Sequence, residues 1–206
     1  REVRFFATSR AIMERLLIKN AKALVGTHAP GTTRVSGADM ADLPHLEDAW
    51  LLAENGHIVG FGPMDTWPGI TDWNGLEVID ATDRYLLPGW CDPHTHSIFA
   101  APREEEFVMK LKGATYQEIA DQGGGILNSA RKLQVMEEEE LYQQSRRRIE
   151  EMMQQGTVAV EIKSGYGLTV EAELKMLRVA KRLKETLPLQ VRTTLLAAHA
   201  LPAEYA

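Results

Sequence analysis

The 206-residue sequence has a single cysteine, Cys91, which rules out an internal disulfide and any multi-cysteine zinc knot. One cysteine fits a reducing compartment, so a cytoplasmic location is expected. Long hydrophobic runs are also missing: nothing approaches the roughly eighteen consecutive apolar residues that a membrane-spanning helix needs, so no membrane partner is expected. Basic tracts are missing too. Lys and Arg number 23 against 29 Asp and Glu, a formal charge of −6, and that balance makes nucleic acid or an anionic bilayer a poor match. What remains, with 44% hydrophobic residues, is ordinary globular composition, enough for one large domain or two small ones and too apolar for a disordered chain. The chain opens on Arg1, and its first methionine is Met13. Residues 1–12 lack the continuous apolar core of a secretory signal and read as an upstream tail, with the native start expected at Met13.

From Leu16 to Val25 the sequence reads as a strand, followed by a Gly/Thr/Pro-rich turn region. Ala49–Ala53 and His57–Phe61 are short apolar runs joined by Glu54-Asn55-Gly56. Asn-Gly at that place predicts a hairpin, because a type I′ turn needs positive φ at both central residues. Glu77–Ile79 reads as another short strand. Residues 13–85 therefore form an all-β module. After Tyr85 the pattern changes. Leu86–Pro93 reads as one apolar strand running into His94-Thr95-His96, with Cys91 inside it as a buried small hydrophobe. Met136–Gln155 reads as a helix with acidic residues at its start and Gly156 as its stop. Thr157–Lys163 reads as a strand, Val170–Leu187 as a helix with an apolar row at Leu174, Leu177, Ala180 and Leu183, and Gln190–Ala198 as a strand. Alternating strands and helices predict a parallel sheet, an α/β fold. Polar residues close each strand, as they do on the active face of a (β/α)8 barrel, but residues 86–206 suffice for only about half of the roughly 250 residues that such a barrel occupies.

His94 and His96 are the sharpest chemical feature. Residues i and i+2 of a strand share a face, so both imidazoles can converge on one metal ion, with zinc and iron the natural choices. Two histidines under-coordinate a metal, and His199 is the other histidine at a strand end; His28, His45 and His57 read as surface or turn residues. Asp92 reads as an orienter of a metal ligand or as a turn residue. Arg103 can hold a carboxylate through its planar fork, or pair with Glu104, Glu105 or Glu106 at a helix start. Gly123-Gly124-Gly125 can form an anion nest or a turn, and no Walker lysine follows it. Lys163-Ser164-Gly165-Tyr166-Gly167 can present the Tyr166 phenol to a ligand or merely cap the core.

The stretches LPGWCDPHTH, REEEF, QGGGILNSARK, EIKSGYGLTVEAELKMLRVAKRL and LLAAHALPAEY, in this order, resemble the imidazolonepropionase family of the amidohydrolase superfamily. The resemblance implies a small β-sandwich domain (residues 13–85) beside the first half of a metal-dependent hydrolase (β/α)8 TIM-like barrel (86–206). It also implies one zinc or iron ion and hydrolytic opening of 4-imidazolone-5-propanoate to N-formimidoyl-L-glutamate, in a full-length homodimer. By position it implies His94 and His96 as metal ligands and Arg103, Tyr166 and His199 as substrate contacts, with the remaining ligands beyond residue 206. The chain is thus expected to be a fragment of an enzyme about twice its length, inactive alone. Ala100-Ala101-Pro102 departs from the family, and a proline there can change the aim of Arg103. Two other readings stand beside this one: another amidohydrolase, such as a deaminase or cyclic-amide hydrolase, and a non-catalytic amidohydrolase-like scaffold.

Overall fold

The computed structural model describes residues 15–121, 124–197 and 199–200. The expected tail, Met13, Gly123 and the end of the LLAAHALPAEY stretch lie outside them. The chain divides into two compact units with the boundary between Pro88 and Gly89.

The first unit is built on β1 (Arg15–Val25), β2 (His45–Glu54), β3 (His57–Pro63), β4 (Leu76–Asp80) and β5 (Tyr85–Leu86). They form one five-stranded sheet in the order β3-β2-β1-β4, with β5 also on β1. β2 and β3 are joined through Asn55 and Gly56, at φ +50° and +78°, the turn that the dipeptide predicts. β1 bulges between Ile18 and Ala21, with Asn20 at φ +57°. The bulge divides the strand's work: Arg15–Lys19 pairs in parallel with β4, and Ala23 and Leu24 pair in parallel with β5. One sheet, rather than the two layers of a sandwich, is what the described residues of this unit contain. Leu17, Ile18, Ala21, Ala49 and Trp50 are its buried centre.

The second unit holds β6 (Trp90–Thr95), β7 (Thr157–Lys163) and β8 (Gln190–Thr194), all parallel in the order β6-β7-β8. Five helices accompany them: α1 (Glu104–Leu111), α2 (Tyr116–Asp121), α3 (Gly125–Val135), α4 (Glu138–Gln154) and α5 (Val170–Thr186). Val160 and Ile162 of β7 and Val191 of β8 share one core with Leu141 and Ile149 of α4 and Met176, Val179 and Leu183 of α5. Thr169 caps α5, its hydroxyl accepting from the Ala172 N–H, and Glu138 and Glu139 at the start of α4 pair with Arg178 and Arg182 of α5. No helix among the described residues is long and apolar enough to cross a membrane.

Five expectations are corrected. Leu86–Pro93 is not one strand: Leu86 pairs with β1 of the first unit, and β6 begins only at Trp90, because Pro88 cannot donate to a ladder. For the same reason the boundary between units falls after Pro88 and not after Tyr85. Cys91 is exposed, on a strand at the edge of the described sheet. The buried row of α5 is Ala172, Met176, Val179, Ala180 and Leu183, while Leu174 is exposed. Steps of three fall short of a helical repeat, so the row 174-177-180-183 drifts around the axis and only its end meets the core. β8 stops at Thr194, short of Ala198.

Leu183 is fully buried in this core. Its replacement by alanine is expected to lower unfolding free energy by about 2–5 kcal/mol through lost burial and a residual cavity, measured by urea titration.

Candidate metal centre

β6 delivers its histidines through a local irregularity. The Asp92 carboxylate accepts from the His94 N–H at 3.1 Å, and the Thr95 hydroxyl donates to the Glu161 carbonyl at 2.8 Å. The ladder with β7 shifts register between Asp92 and Thr95. Asp92 thus shapes the turn of the backbone and bonds to no imidazole. Beyond the strand, Arg148 of α4 donates to the carbonyls of Ser97 and Phe99, both at 2.8 Å, and stacks on the Phe99 ring. Burial lowers the Arg148 pKa from its ordinary value. Nothing in the sequence marks this arginine as the tether of the segment after His96.

Three of the residues singled out from sequence converge on His96. Its ring centroid lies 5.6 Å from that of His94, 4.9 Å from His199 and 5.1 Å from Tyr166, and Tyr166 and His199 are 5.5 Å apart. His96 is partly buried, and its Nδ1 is a buried polar atom without a hydrogen-bond partner. Burial, followed by the neighbouring His199 and His94, holds its pKa below the ordinary imidazole value, which favours the neutral, ligating form. A buried nitrogen lone pair or N–H left unpaired is costly unless something meets it, and a metal ion is one group that can. The donor chemistry at His96 therefore fits a metal ion. Among the described residues no set of three or more His, Cys, Asp or Glu side chains is arranged to hold one.

Beside His94, Lys163 and Thr194 donate to the Glu161 carboxylate. Those hydrogen bonds, first from Lys163 and then from Thr194, lower the Glu161 pKa. Tyr166 rides on a loop locked to its surroundings: Ser164 N–H donates to the Thr194 carbonyl, and Leu196 N–H donates to the Ser164 hydroxyl, both at 3.0 Å. Gly165 has φ +111° and lies so close to the next loop that a Cβ there would stand 2.7 Å from His199 Cβ.

Arg103 does not join this cluster. It precedes α1, half exposed, with Nη1 3.6 Å from Glu106 Oε2, the helix-start pairing that the sequence left open. It lines a separate cavity of about 290 Å³ with Pro102, Asn128 and Lys132, and neither the three histidines nor Tyr166 line that cavity. Of the Gly-rich turn, the Gly125 N–H is already engaged: it donates to the Glu106 carboxylate at 2.8 Å. His28, His45 and His57 are exposed on the first unit.

Comparison with known proteins follows the same line. No family model matches the chain. It is 52% identical over 190 residues to the imidazolonepropionase of Christiangramia forsetii, covering 92% of this chain and 46% of the relative. It is 51% identical over 189 residues to that of Flavobacterium johnsoniae, covering 92% and 45%. Among solved structures, E. coli guanine deaminase aligns over 93% of this chain and 38% of its own, with a TM-score of 0.58 at 13% identity. Atrazine chlorohydrolase from Arthrobacter aurescens, complexed with zinc, aligns over 87% and 35%, with a TM-score of 0.53 at 17% identity. At such identities the likeness shows the fold alone, the mixed α/β architecture of these amidohydrolases. The chain spans about half the length of the curated relatives it matches. By sequence, this chain is similar to imidazolonepropionases over that half of their length.

Proposed function

We propose that the protein carrying this sequence opens the imidazolone ring of 4-imidazolone-5-propanoate by hydrolysis, giving N-formimidoyl-L-glutamate. Identity of 52% to a named imidazolonepropionase is the observation that carries this reading. The clustering of His94, His96, His199 and Tyr166 supports its chemistry. In this reading His94 and His96 hold one zinc or iron ion. Bound there, such an ion would lower the pKa of water enough to make hydroxide available near neutral pH.

The remaining steps fall to side chains. The ring's cyclic amide C–N bond breaks as one water adds across it, leaving a carboxylate on carbon and a formimidoyl group on nitrogen. Tyr166 donates its phenolic proton in a hydrogen bond to the ring, and His199 holds or returns the proton that the leaving nitrogen needs. Arg103 binds the propionate carboxylate, for which it must exchange Glu106 for substrate. The unit that ends at Pro88 serves as a small β domain and the unit from Gly89 as the first part of a (β/α)8 barrel, in a cytoplasmic homodimer.

The test is incubation of the protein carrying this sequence with 4-imidazolone-5-propanoate, following loss of the ring absorbance and appearance of N-formimidoyl-L-glutamate. Turnover is expected, abolished by a chelator and restored by zinc or iron. Deamination of a nucleobase or opening of a hydantoin, with the imidazolone untouched, would replace this reading with another amidohydrolase activity.

A further inference from the structure

We infer that Glu173 is a positioning residue for Tyr166, acting through the backbone of the loop that carries it; the catalytic consequence rests on Tyr166 contacting substrate as proposed above. Glu173 lies in the first turn of α5 and is 4% exposed. Its carboxylate accepts from three backbone N–H groups: Gly165 at 2.9 Å, Gly167 at 2.7 Å and Leu168 at 3.0 Å. A carboxylate buried at a helix N-terminus is expensive to desolvate, and these donors together with the helix dipole are what compensate it.

The pattern of donors is the informative part. Gly165 and Gly167 flank Tyr166, so fixing both amides fixes the peptide planes on either side of the tyrosine and with them the direction of its side chain. Leu168, the third donor, is a buried non-glycine residue at φ +59°, a conformation that persists only where surrounding contacts hold it. The Glu173 carboxylate is such a contact. The loop's other flank is set by its close approach to His199 at Gly165. Glu173 thus sets one side of the loop and the His199 segment the other, with the Tyr166 ring resting between His96 and His199.

Glutamine at 173 keeps the size but turns one acceptor into a donor facing a backbone N–H. In the full-length protein, Glu173→Gln is expected to reduce kcat by about tenfold or more with KM changed much less, because a small misplacement of a group acting in the transition state is costly. The decisive readout is a cycle with Tyr166→Phe: once the phenol is gone, Glu173→Gln should cost little more, and equal losses in both backgrounds would overturn the inference. Glu173→Asp, which keeps the charge, should recover part of kcat and guards against a glutamine variant that fails to fold. Amide exchange at Gly165, Gly167 and Leu168 should accelerate in Glu173→Gln while β7 stays protected, and unchanged exchange there would also overturn it. If the parent protein does not open the imidazolone, the functional reading fails separately. The inference is then decided by that exchange and by whether Glu173→Gln moves the His96 and His199 imidazole resonances, as displacement of the adjacent Tyr166 ring requires.

Discussion

Replacing His96 by alanine in the full-length protein is expected to lower metal retention by more than about 100-fold, and with it the ring opening proposed above, since losing even an outer partner of a ligand costs 10–100-fold. The stability of the metal-free protein should barely move. Two opposing terms explain that. The imidazole packs edge-on against Tyr166 at 5.1 Å and beside His199 at 4.9 Å, contacts worth about 1 kcal/mol that alanine loses. Against this, its buried Nδ1 has no partner, and deleting an unsatisfied buried polar atom returns about 1–3 kcal/mol. Metal analysis of the purified variant and a thermal melt in chelator check the two halves. A variant that keeps its metal would remove His96 from the ligand set.

Gly165→Ala in the full-length protein should reduce the proposed ring opening by about 100-fold through displacement of the groups on both sides of it. At φ +111° any L side chain is strained, and the added methyl would sit 2.7 Å from His199 Cβ and 2.9 Å from the Leu196 carbonyl oxygen. Neither neighbour is the free end of a flexible chain. One is the root of a site residue and the other is backbone, so relief must come from moving the loop after β7 or the loop after β8, and with it Tyr166 or His199. Strain at such a position costs about 1–3 kcal/mol of stability, visible as a lower urea midpoint. Near-parental turnover would mean that the loops separate easily and that the cluster of rings is loosely held.

Much of this arrangement is legible along the chain, and the failures have identifiable causes. Asn55-Gly56 and the run Thr157–Lys163 are local signals that tertiary structure leaves intact, and both elements stand where they are read. Leu86–Pro93 misleads because continuous apolarity conceals a proline break, so one apparent strand serves two sheets. The apolar neighbours of Cys91 suggest burial, yet burial belongs to what packs on a strand, not to the strand, and Cys91 is exposed. Of the candidate site, the spacing of His94 and His96 on a strand suggests a shared face, and Tyr166 and His199 are singled out by their places after strands. Their mutual contacts depend on sheet order and could not be read. The sequence does not decide the pairing of Arg103, because a local carboxylate and a ligand carboxylate look alike in it; Glu106 is the partner in the structure. Glu173 carries no local signature: among the glutamates of an amphipathic helix, only the returning loop distinguishes it.

The rings that meet at His96 come from the ends of three successive parallel strands, β6, β7 and β8, joined by crossover connections. Contacts so distant in sequence pay their loop-closure entropy before any reward arrives, so they form late in folding. A ligand that needs these strand ends together binds only the completed topology and adds to its stability by mass action. Closure of the Tyr166 and His199 rings onto His96 during refolding would therefore report the moment when β6, β7 and β8 are all in register, rather than the earlier appearance of helices or collapse.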